Sequence, residues 1–323
     1  MRRTLAGLLL ACGAAWAAPV NPDLGLGEDL ANGVGLWRFA RNQGPFSNIP
    51  GGLGIGEAYL ADADGVVYNY DGVDGAGILR VNGTPYASPN PADFYVDPTG
   101  PIYTGAPLYM DDLIVWSQFY APNSTPWMRV AAFVANPTFS PITANFQLHN
   151  NSGADEGMAI EGSSSGDTTF GTDDRWVVTD DSIKNGNDPA VIYSLYGPGS
   201  PLAPTSANGT GTTTYFQAAG NQGIVGGYDV TIQPAEFIMF VWYIGLAHTP
   251  AEGMAIAAEL DTLTPNHPLM YGFQPGWYPR IVNWDFDEPG GGTTEAPEPA
   301  SIALVGAGLV LAGMARRRAR RRA

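Results

Sequence analysis

The sequence predicts an all-β protein built as an antiparallel β-sandwich, either one large sandwich or two packed together. Turn-forming dipeptides recur at close spacing between short apolar runs, and β-branched and aromatic residues dominate the longest of these runs. Glycine (42) and proline (27) are abundant, and only 14% of the 323 residues are charged, against roughly 25% in an average domain. With 11% aromatic residues the chain has ample material for a core, which argues against a largely disordered protein or a coiled coil.

Four dipeptides suited to the positive φ of hairpin turns fall within twenty residues. They are Asp64-Gly65, Asp71-Gly72, Asp74-Gly75 and Asn82-Gly83. Between them lie two runs with strand character, Val66–Tyr70 and Ile78–Val81. This pattern predicts successive short hairpins.

Later strands are predicted from two kinds of apolar pattern. Ile142–His149 and Asp229–Gln233 alternate apolar with polar residues, which indicates one buried and one solvent-exposed face. Leu113–Trp116 and Phe237–Ile244 are apolar on both faces. The eight-residue run Phe237–Ile244 is too short to span a bilayer as a helix, so we expect it to be a central core strand.

One short helix is predicted near residues 250–264. Thr249 is placed to cap it, Pro250 suits the first helical position, and Glu252 completes a capping-box pattern. Thr264-Pro265 should end it.

Charge is divided between the ends and the body of the chain. Eight of the 15 basic residues lie at the termini: Arg2, Arg3, Arg316, Arg317, Arg318, Arg320, Arg321 and Arg322. The stretch from Ala18 to Glu298 therefore holds 7 basic and 31 acidic residues, a net charge of 7 − 31 = −24. Such a body repels phosphate groups, so we expect no nucleic-acid partner.

The N-terminus has the three parts of a secretory signal peptide. Arg2 and Arg3 form the positive region, Leu5–Ala11 the apolar region, and Ala15-Trp16-Ala17 the small residues before a cleavage site. We expect residues 1–17 to be the signal peptide, with the cut between Ala17 and Ala18. An alternative is acylation of Cys12, the only cysteine, since Leu9–Cys12 is close to a lipobox. Cleavage after Ala17 would leave the mature chain without cysteine, and so without disulfides.

The C-terminus carries a second, distinct signal. Residues 289–296 form a glycine-rich flexible linker, and Pro297, Glu298 and Pro299 follow it. Pro299–Ala315 is then uncharged over 17 residues, the lower limit for a membrane-spanning helix, and six arginines follow within Arg316–Arg322. By the positive-inside rule the arginines hold the end of the chain in the cytoplasm and leave the body outside.

This tripeptide, apolar run and arginine cluster together resemble the PEP-CTERM sorting signal of Gram-negative bacteria. Residues 297–323 carry the resemblance, and the departure is Ala296, where the family commonly has valine. It implies secretion machinery and an exosortase-type processing enzyme as partners, with Pro297, Glu298, Pro299, Arg316, Arg317 and Arg318 as the processing residues. The membrane would be contacted only through this helix before processing. An ordinary C-terminal membrane anchor is the alternative.

The resemblance also implies where the protein works. The expected function is that of a non-catalytic protein of the cell surface or extracellular matrix, structural or adhesive in exopolysaccharide or biofilm. The expected body spans residues 18–288, with a subdivision near Gly105, and Val130–Asp181 is similar to β-sandwich modules of bacterial surface proteins. The alternative function is a secreted carbohydrate-binding or carbohydrate-active protein of the same matrix.

No residue pattern in the body predicts catalysis. His149, His248 and His267 lack metal-ligand spacing, and Gly162–Gly166 does not form a nucleophile elbow. Adjacent carboxylates occur at Asp111-Asp112, Asp173-Asp174 and Asp180-Asp181. Neighbours on a strand point to opposite faces, so a glycosidase pair would have to be assembled across the fold.

No cofactor is predicted with the exception of calcium. Oxygen ligands cluster within thirteen residues at Asp62, Asp64, Asn69, Asp71 and Asp74. Carboxylate and amide oxygens suit Ca²⁺, but the spacing is not that of an EF-hand. The alternative interpretation is a set of acidic hairpin turns.

Two aromatic segments outside the predicted strands are candidates for stacking on sugar rings. They are Phe273–Pro279 and Asn123–Trp127. The alternative is that these rings pack into the core from loops.

Overall fold

The computed structural model describes residues 29–31, 34–41, 52–61, 67–69, 72–87, 93–97, 99–154, 157–181, 188–209 and 221–286. These residues form antiparallel sheets with one short helix, as predicted. The signal peptide with its Ala17–Ala18 cut, Cys12, the linker and the 297–323 tail lie outside them. Within the described ranges, no helix has the length and apolar character needed to cross a membrane.

The smallest sheet is formed by the first part of the described chain. Its strands, in spatial order, are β1 (Asp29–Ala31), β2 (Gly35–Arg41), β3 (Leu53–Ala61) and β4 (Val67–Asn69). Trp37, Phe39, Leu53 and Ile55 are buried in the main core.

A five-stranded sheet forms one face of the sandwich. Its strands are β5 (Ile78–Val81), β6 (Thr84–Pro85), β12 (Ile142–Asn151), β16 (Ser206–Asn208) and β17 (Gly223–Ile232), in the spatial order β16-β17-β12-β5-β6. The predicted alternation holds up to Leu148: Ala144, Phe146 and Leu148 are buried, whereas Thr143 is exposed. For His149 the prediction of a solvent-facing side chain is wrong, because the end of β12 is buried on both faces. Asn82 and Gly83 join β5 to β6 with φ of 48° and 79°, as a type I′ turn requires.

A nine-stranded sheet forms the opposite face. Its strands are β7 (Asp93–Asp97), β8 (Gly100–Thr104), β9 (Leu108–Met110), β10 (Leu113–Tyr120), β11 (Trp127–Ala135), β13 (Met158–Ser163), β14 (Trp176–Asp181), β15 (Ala190–Ser194) and β18 (Phe237–Ala247). The order is β13-β14-β15-β18-β11-β10-β8-β7, with β9 also paired to β10. β18 is thus an interior strand, as the apolar run predicted.

The nine-stranded sheet is covered on both faces, which explains why its central strands are apolar throughout. Phe240, Trp242 and Ile244 of β18 point into the core shared with the other two sheets. The alternate residues Met239, Val241 and Tyr243 face a second core beneath the chain that follows α1, residues 258–286, which we call the C-terminal segment. Every residue of β11 is buried.

The predicted helix is α1 (Pro250–Ala257), continued by a 3₁₀ turn at Ala258–Thr262. Thr249 Oγ1 accepts from the Glu252 N–H at 3.2 Å, as expected of an N-cap. The reciprocal bond differs in detail, because the Glu252 carboxylate accepts from the N–H of His248 rather than from that of Thr249.

The chain after α1 lies over the outer face of the nine-stranded sheet in two further 3₁₀ turns, Pro268–Met270 and Pro275–Arg280. Residues on both sides of Gly105 belong to that sheet, since β8 and β9 each pair with β10. One hydrophobic core draws side chains from both sides of this glycine.

Candidate functional site

The predicted calcium ligands are only partly within the described residues. Asp62, Asp64 and Asp71 lie outside them. Asn69 is in β4, paired with Leu60, and the Asp74 N–H donates to the carbonyl of Asn151 at 3.4 Å. Of the residues that the structure describes, no three carboxylate, histidine or cysteine side chains group as a metal site. Calcium binding therefore stays a prediction.

The three adjacent carboxylate pairs have different structures. Asp180 and Asp181 end strand β14 as expected, but Asp111 and Asp112 are not on a strand. They form the β9–β10 turn, both with positive φ (45° and 65°). Asp173 and Asp174 are in the β13–β14 loop, where buried Asp174 accepts from the N–H groups of Ser165 and Gly171. Asp174 thus stabilises its own loop.

His149 is the only histidine of the three that is fully buried, with 1% of its surface exposed. Its Nε2 lies 3.1 Å from Gln147 Oε1. Burial, and secondarily the charge of Arg80, lowers the pKa of His149 to about 3. The ring is therefore neutral at physiological pH. His248 and His267 are on the surface near α1, where His267 Nε2 lies 3.2 Å from Glu259 Oε1.

The loop aromatics proposed to stack on sugars pack mainly into the second core. Trp127 is in β11 and 1% exposed, which excludes it as a surface platform. Phe273 is buried, and the hydroxyl of Tyr278 donates to the carbonyl of Pro265. Trp277 remains partly exposed and stands edge-on to Phe133, with ring centres 5.4 Å apart.

Trp277 belongs to a group of four rings that we call the aromatic cluster: Trp116, Phe133, Phe237 and Trp277. Trp116 on β10 stacks on Phe133 on β11, its directly opposite neighbour, at 4.9 Å and 3°. Phe237, the first residue of β18, lies 5.9 Å from Trp116 and 6.1 Å from Phe133, with planes within 18°. Three neighbouring strands therefore hold parallel rings at one place on the sheet.

The aromatic cluster is only partly covered. Phe133 is buried, whereas Trp116, Phe237 and Trp277 each retain exposed surface. Tyr109 of β9 is 42% exposed and lies opposite Ile114 of β10. It is therefore the diagonal cross-strand neighbour of Trp116, at about 7–8 Å between backbones. The sequence predicts Trp277 as a candidate surface ring, but it assigns Trp116 and Phe237 to strands that are apolar on both faces. No sequence signal shows that the C-terminal segment leaves these two rings partly open.

Acidic and amide groups lie in the turns at the same end of the sandwich as the aromatic cluster. The Tyr109 hydroxyl donates to Asp112 at 2.8 Å, and Asn82 Nδ2 donates to Asp111 at 2.9 Å. The second bond joins the β5–β6 turn of one sheet to the β9–β10 turn of the other. Partly exposed rings bordered by hydrogen-bonding groups can contact both the C–H faces and the hydroxyls of a sugar.

The C-terminal segment that limits the aromatic cluster is held down by a buried arginine. Arg129 on β11 is 0% exposed and donates from Nη1 to the carbonyls of Leu269 and Tyr271, each at 2.8 Å. Its Nη2 donates to Gln118 Oε1 at 3.1 Å. Burial lowers the pKa of Arg129 to about 10, so the guanidinium stays charged at neutral pH. Its role here is to fasten the segment to the sheet.

Comparison with known proteins does not assign this chain to a family. No family model matches the chain, and no curated protein does. Among solved structures, the Slr1438 protein of Synechocystis is 11% identical with a TM-score of 0.39, covering 72% of this chain and 100% of that one. A galactose mutarotase-like protein of Lactobacillus casei is 10% identical with a TM-score of 0.37, covering 68% and 99%. A TPR-domain protein of Parabacteroides distasonis is 12% identical with a TM-score of 0.42, covering 69% and 47%.

Proposed function

We propose that this chain is an exported, non-catalytic protein of the cell surface or extracellular matrix, sorted through its C-terminal Pro-Glu-Pro signal. The observation that carries this proposal is that the motif lies beyond every core residue that the structure describes. Of the described residues, Phe286 is the last in the core, 7% exposed and stacked on Trp284 at 5.8 Å. It precedes Pro297 by 297 − 286 = 11 residues. A cut at the motif would therefore leave every described core residue in place.

The end of the core is also firmly bound to the sheet. Asn283 Nδ2 donates to the carbonyls of Leu195 and Val241, and its Oδ1 accepts from the Val241 N–H. Trp284 Nε1 donates to the same Val241 carbonyl at 2.7 Å. These bonds fasten the last described residues to the nine-stranded sheet, and all of them lie before the motif, so a cut there would remove none of them.

The proposed partners are secretion machinery and an exosortase-type enzyme, with exopolysaccharide as the surrounding matrix. The test is the intact mass and terminal peptides of the mature protein from its native host. We expect a chain that starts at Ala18 and ends near Pro297–Pro299. As variants, Pro297, Glu298 and Pro299 are changed together to alanine, and Thr293 and Thr294 in the linker are changed to alanine as the control. The first variant should keep its arginine-containing tail, whereas the control should be processed.

Retention of Arg316–Arg322 in the mature wild-type protein would contradict the sorting proposal and leave a tail-anchored protein. A chain that begins at acylated Cys12 would instead make it a lipoprotein. Both outcomes are read from the same mass spectrum.

Carbohydrate binding by the body is the second candidate function. The partly exposed rings of the aromatic cluster favour it, since aromatic faces contribute large apolar contact at little conformational cost. The test is retardation of the purified body in native gels that contain a soluble neutral glucan. Trp116→Ala should reduce retardation, whereas Met254→Ala, an exposed apolar side chain on α1, should not. An equal effect of the two variants would contradict a site at the cluster.

A further inference from the structure

Phe139 is the most exposed large apolar side chain among the described residues, with 99% of its surface in water. It lies in the β11–β12 loop, Asn136–Pro141. Single exposed apolar residues are ordinary on protein surfaces. The structure around Phe139 distinguishes it in two ways: the loop is rigidly built, and it is attached beside the aromatic cluster.

The loop is organised by one buried side chain. Asn136, 1% exposed, donates from Nδ2 to the carbonyls of Ser140 and Ile232 at 2.8 and 2.9 Å. Its Oδ1 accepts from both the N–H and the hydroxyl of Thr138. The Thr138 hydroxyl in turn lies 2.9 Å from the Ser140 carbonyl. Residues on both sides of Phe139 are thus fixed, while the ring itself packs on nothing.

The same asparagine ties the loop to the strand that carries Phe237. The Asn136 N–H donates to the carbonyl of Glu236 at 2.9 Å, and the Ala235 N–H donates to the carbonyl of Asn136 at 3.0 Å. Ala135 lies directly opposite Phe237 in the sheet. Phe139 follows Ala135 by four residues, so its backbone is at most about 15 Å from that point.

The charge of the surroundings restricts the ligand that this surface can hold. Asp111, Asp112 and Asp229 are exposed at the same end of the sandwich, and Glu236 is partly exposed. The body as a whole, residues 18–288, carries a net charge of 7 − 29 = −22. Polyanions such as uronic-acid polymers are therefore repelled. An uncharged sugar polymer is not, and its hydroxyls can donate to these carboxylates.

We propose that Phe139 is a second contact for an uncharged polysaccharide that also lies on the aromatic cluster. This inference rests on the second candidate function and adds to it that the site is extended, because two separated aromatic contacts engage a chain of several sugar units. The rigid loop makes the contact favourable, since little conformational entropy is lost when an ordered loop binds.

The test compares Phe139→Ala, Phe139→Trp and the control Gln233→Ala, an exposed residue in the neighbouring turn. Removing a ring that packs on nothing should leave the thermal unfolding midpoint unchanged. Affinity is measured by calorimetry and gel retardation with a neutral soluble glucan, a short neutral oligosaccharide, alginate and chitosan. We expect Phe139→Ala to weaken binding of the neutral polymer about tenfold, Phe139→Trp to restore it, and Gln233→Ala to have no effect.

The short oligosaccharide should bind Phe139→Ala and wild type equally, because it does not reach the second contact. If the neutral polymer binds Phe139→Ala as tightly as wild type, the inference is wrong and the aromatic cluster alone is the site. If wild-type protein binds no neutral polymer, carbohydrate binding itself is wrong. Binding to chitosan alone would show adsorption of a polycation to an acidic surface and would overturn both.

Discussion

The guanidinium carbon of Arg129 lies 3.8 Å from the centre of the Phe273 ring. Tyr120 lies on the same arginine at 4.8 Å, and the remaining partners of the guanidinium are the oxygens of Gln118, Leu269 and Tyr271. A buried cation is thus stabilised by ring faces and carbonyl dipoles instead of a carboxylate. Because these groups come from β10, β11 and the C-terminal segment, one side chain joins three parts of the outer layer.

Replacing Arg129 should loosen that layer. Arg129→Met removes the charge and takes the Arg129 donors away from the buried Leu269 carbonyl, the partly buried Tyr271 carbonyl and the Gln118 side chain. We therefore expect the free energy of unfolding to fall by about 2–4 kcal/mol. Arg129→Lys should not restore it, since an ammonium lacks the planar fork that reaches two carbonyls and an amide together. Urea denaturation measures the loss, and hydrogen exchange should rise first in residues 268–281. Unchanged exchange there would show that Arg129 does not hold the segment.

Stability should fall as pH rises above about 10. Burial raises the pKa of Tyr193, Tyr228 and Tyr243 above the usual value of 10, so above that pH the unfolded chain loses protons that the folded chain keeps. The folded state is then disfavoured. Arg129 has the opposite effect on stability, because its folded pKa of about 10 lies below the usual 12.5. Three tyrosines outnumber this one arginine, so we expect a net loss of stability.

Urea midpoints at pH 9, 10 and 11 test this expectation. Tyr193→Phe should flatten the alkaline decline, whereas Tyr109→Phe, at an exposed position, should leave it unchanged. Tyr193 also donates to the Asn151 carbonyl at 3.3 Å, so a modest loss of stability at pH 7 accompanies the change. A decline of the same slope in both variants would contradict the assignment to buried tyrosines.

His149 should contribute to loss of stability in acid. Its folded pKa of about 3 lies below the usual 6.5, so between these values the unfolded chain binds a proton that the folded chain does not. Stability is therefore lost as pH falls from about 6.5 towards 3, by on the order of 4 kcal/mol from this group alone. His149→Gln should flatten the profile in that window, and His248→Gln, at an exposed position, should not. Profiles of equal slope would contradict the role of His149.

The strands and the helix could be predicted because their patterns are local. The apolar run at Phe237–Ile244 and the cap at Thr249 depend on spacing and on neighbouring residues, and both predictions are confirmed. Trp127 was a candidate surface ring because proline, threonine and asparagine precede it, yet it is the first residue of a buried strand. The composition of a loop near a strand end does not determine whether an aromatic residue belongs to the exposed loop or to the buried strand.

The site could be predicted much less well, because it depends on contacts between distant parts of the chain. Trp116, Phe133 and Phe237 come together only once β10, β11 and β18 are paired. Arg129 gave no sequence signal, since an isolated arginine is usually a surface residue. The Asp111-Asp112 turn contains no glycine, so the usual signal for two positive φ angles was absent.

Ala235 offers a direct test of the turn that supports the Phe139 loop. Its φ of 59° is in the left-handed region, which costs a residue with a Cβ roughly 1–2 kcal/mol. Glycine avoids that cost but loses more entropy on folding, so Ala235→Gly should raise the free energy of unfolding by about 0.5–1 kcal/mol. Ala203→Gly, exposed and not in the left-handed region, should lower it slightly. If both variants were destabilised equally in urea, strain at Ala235 would be excluded.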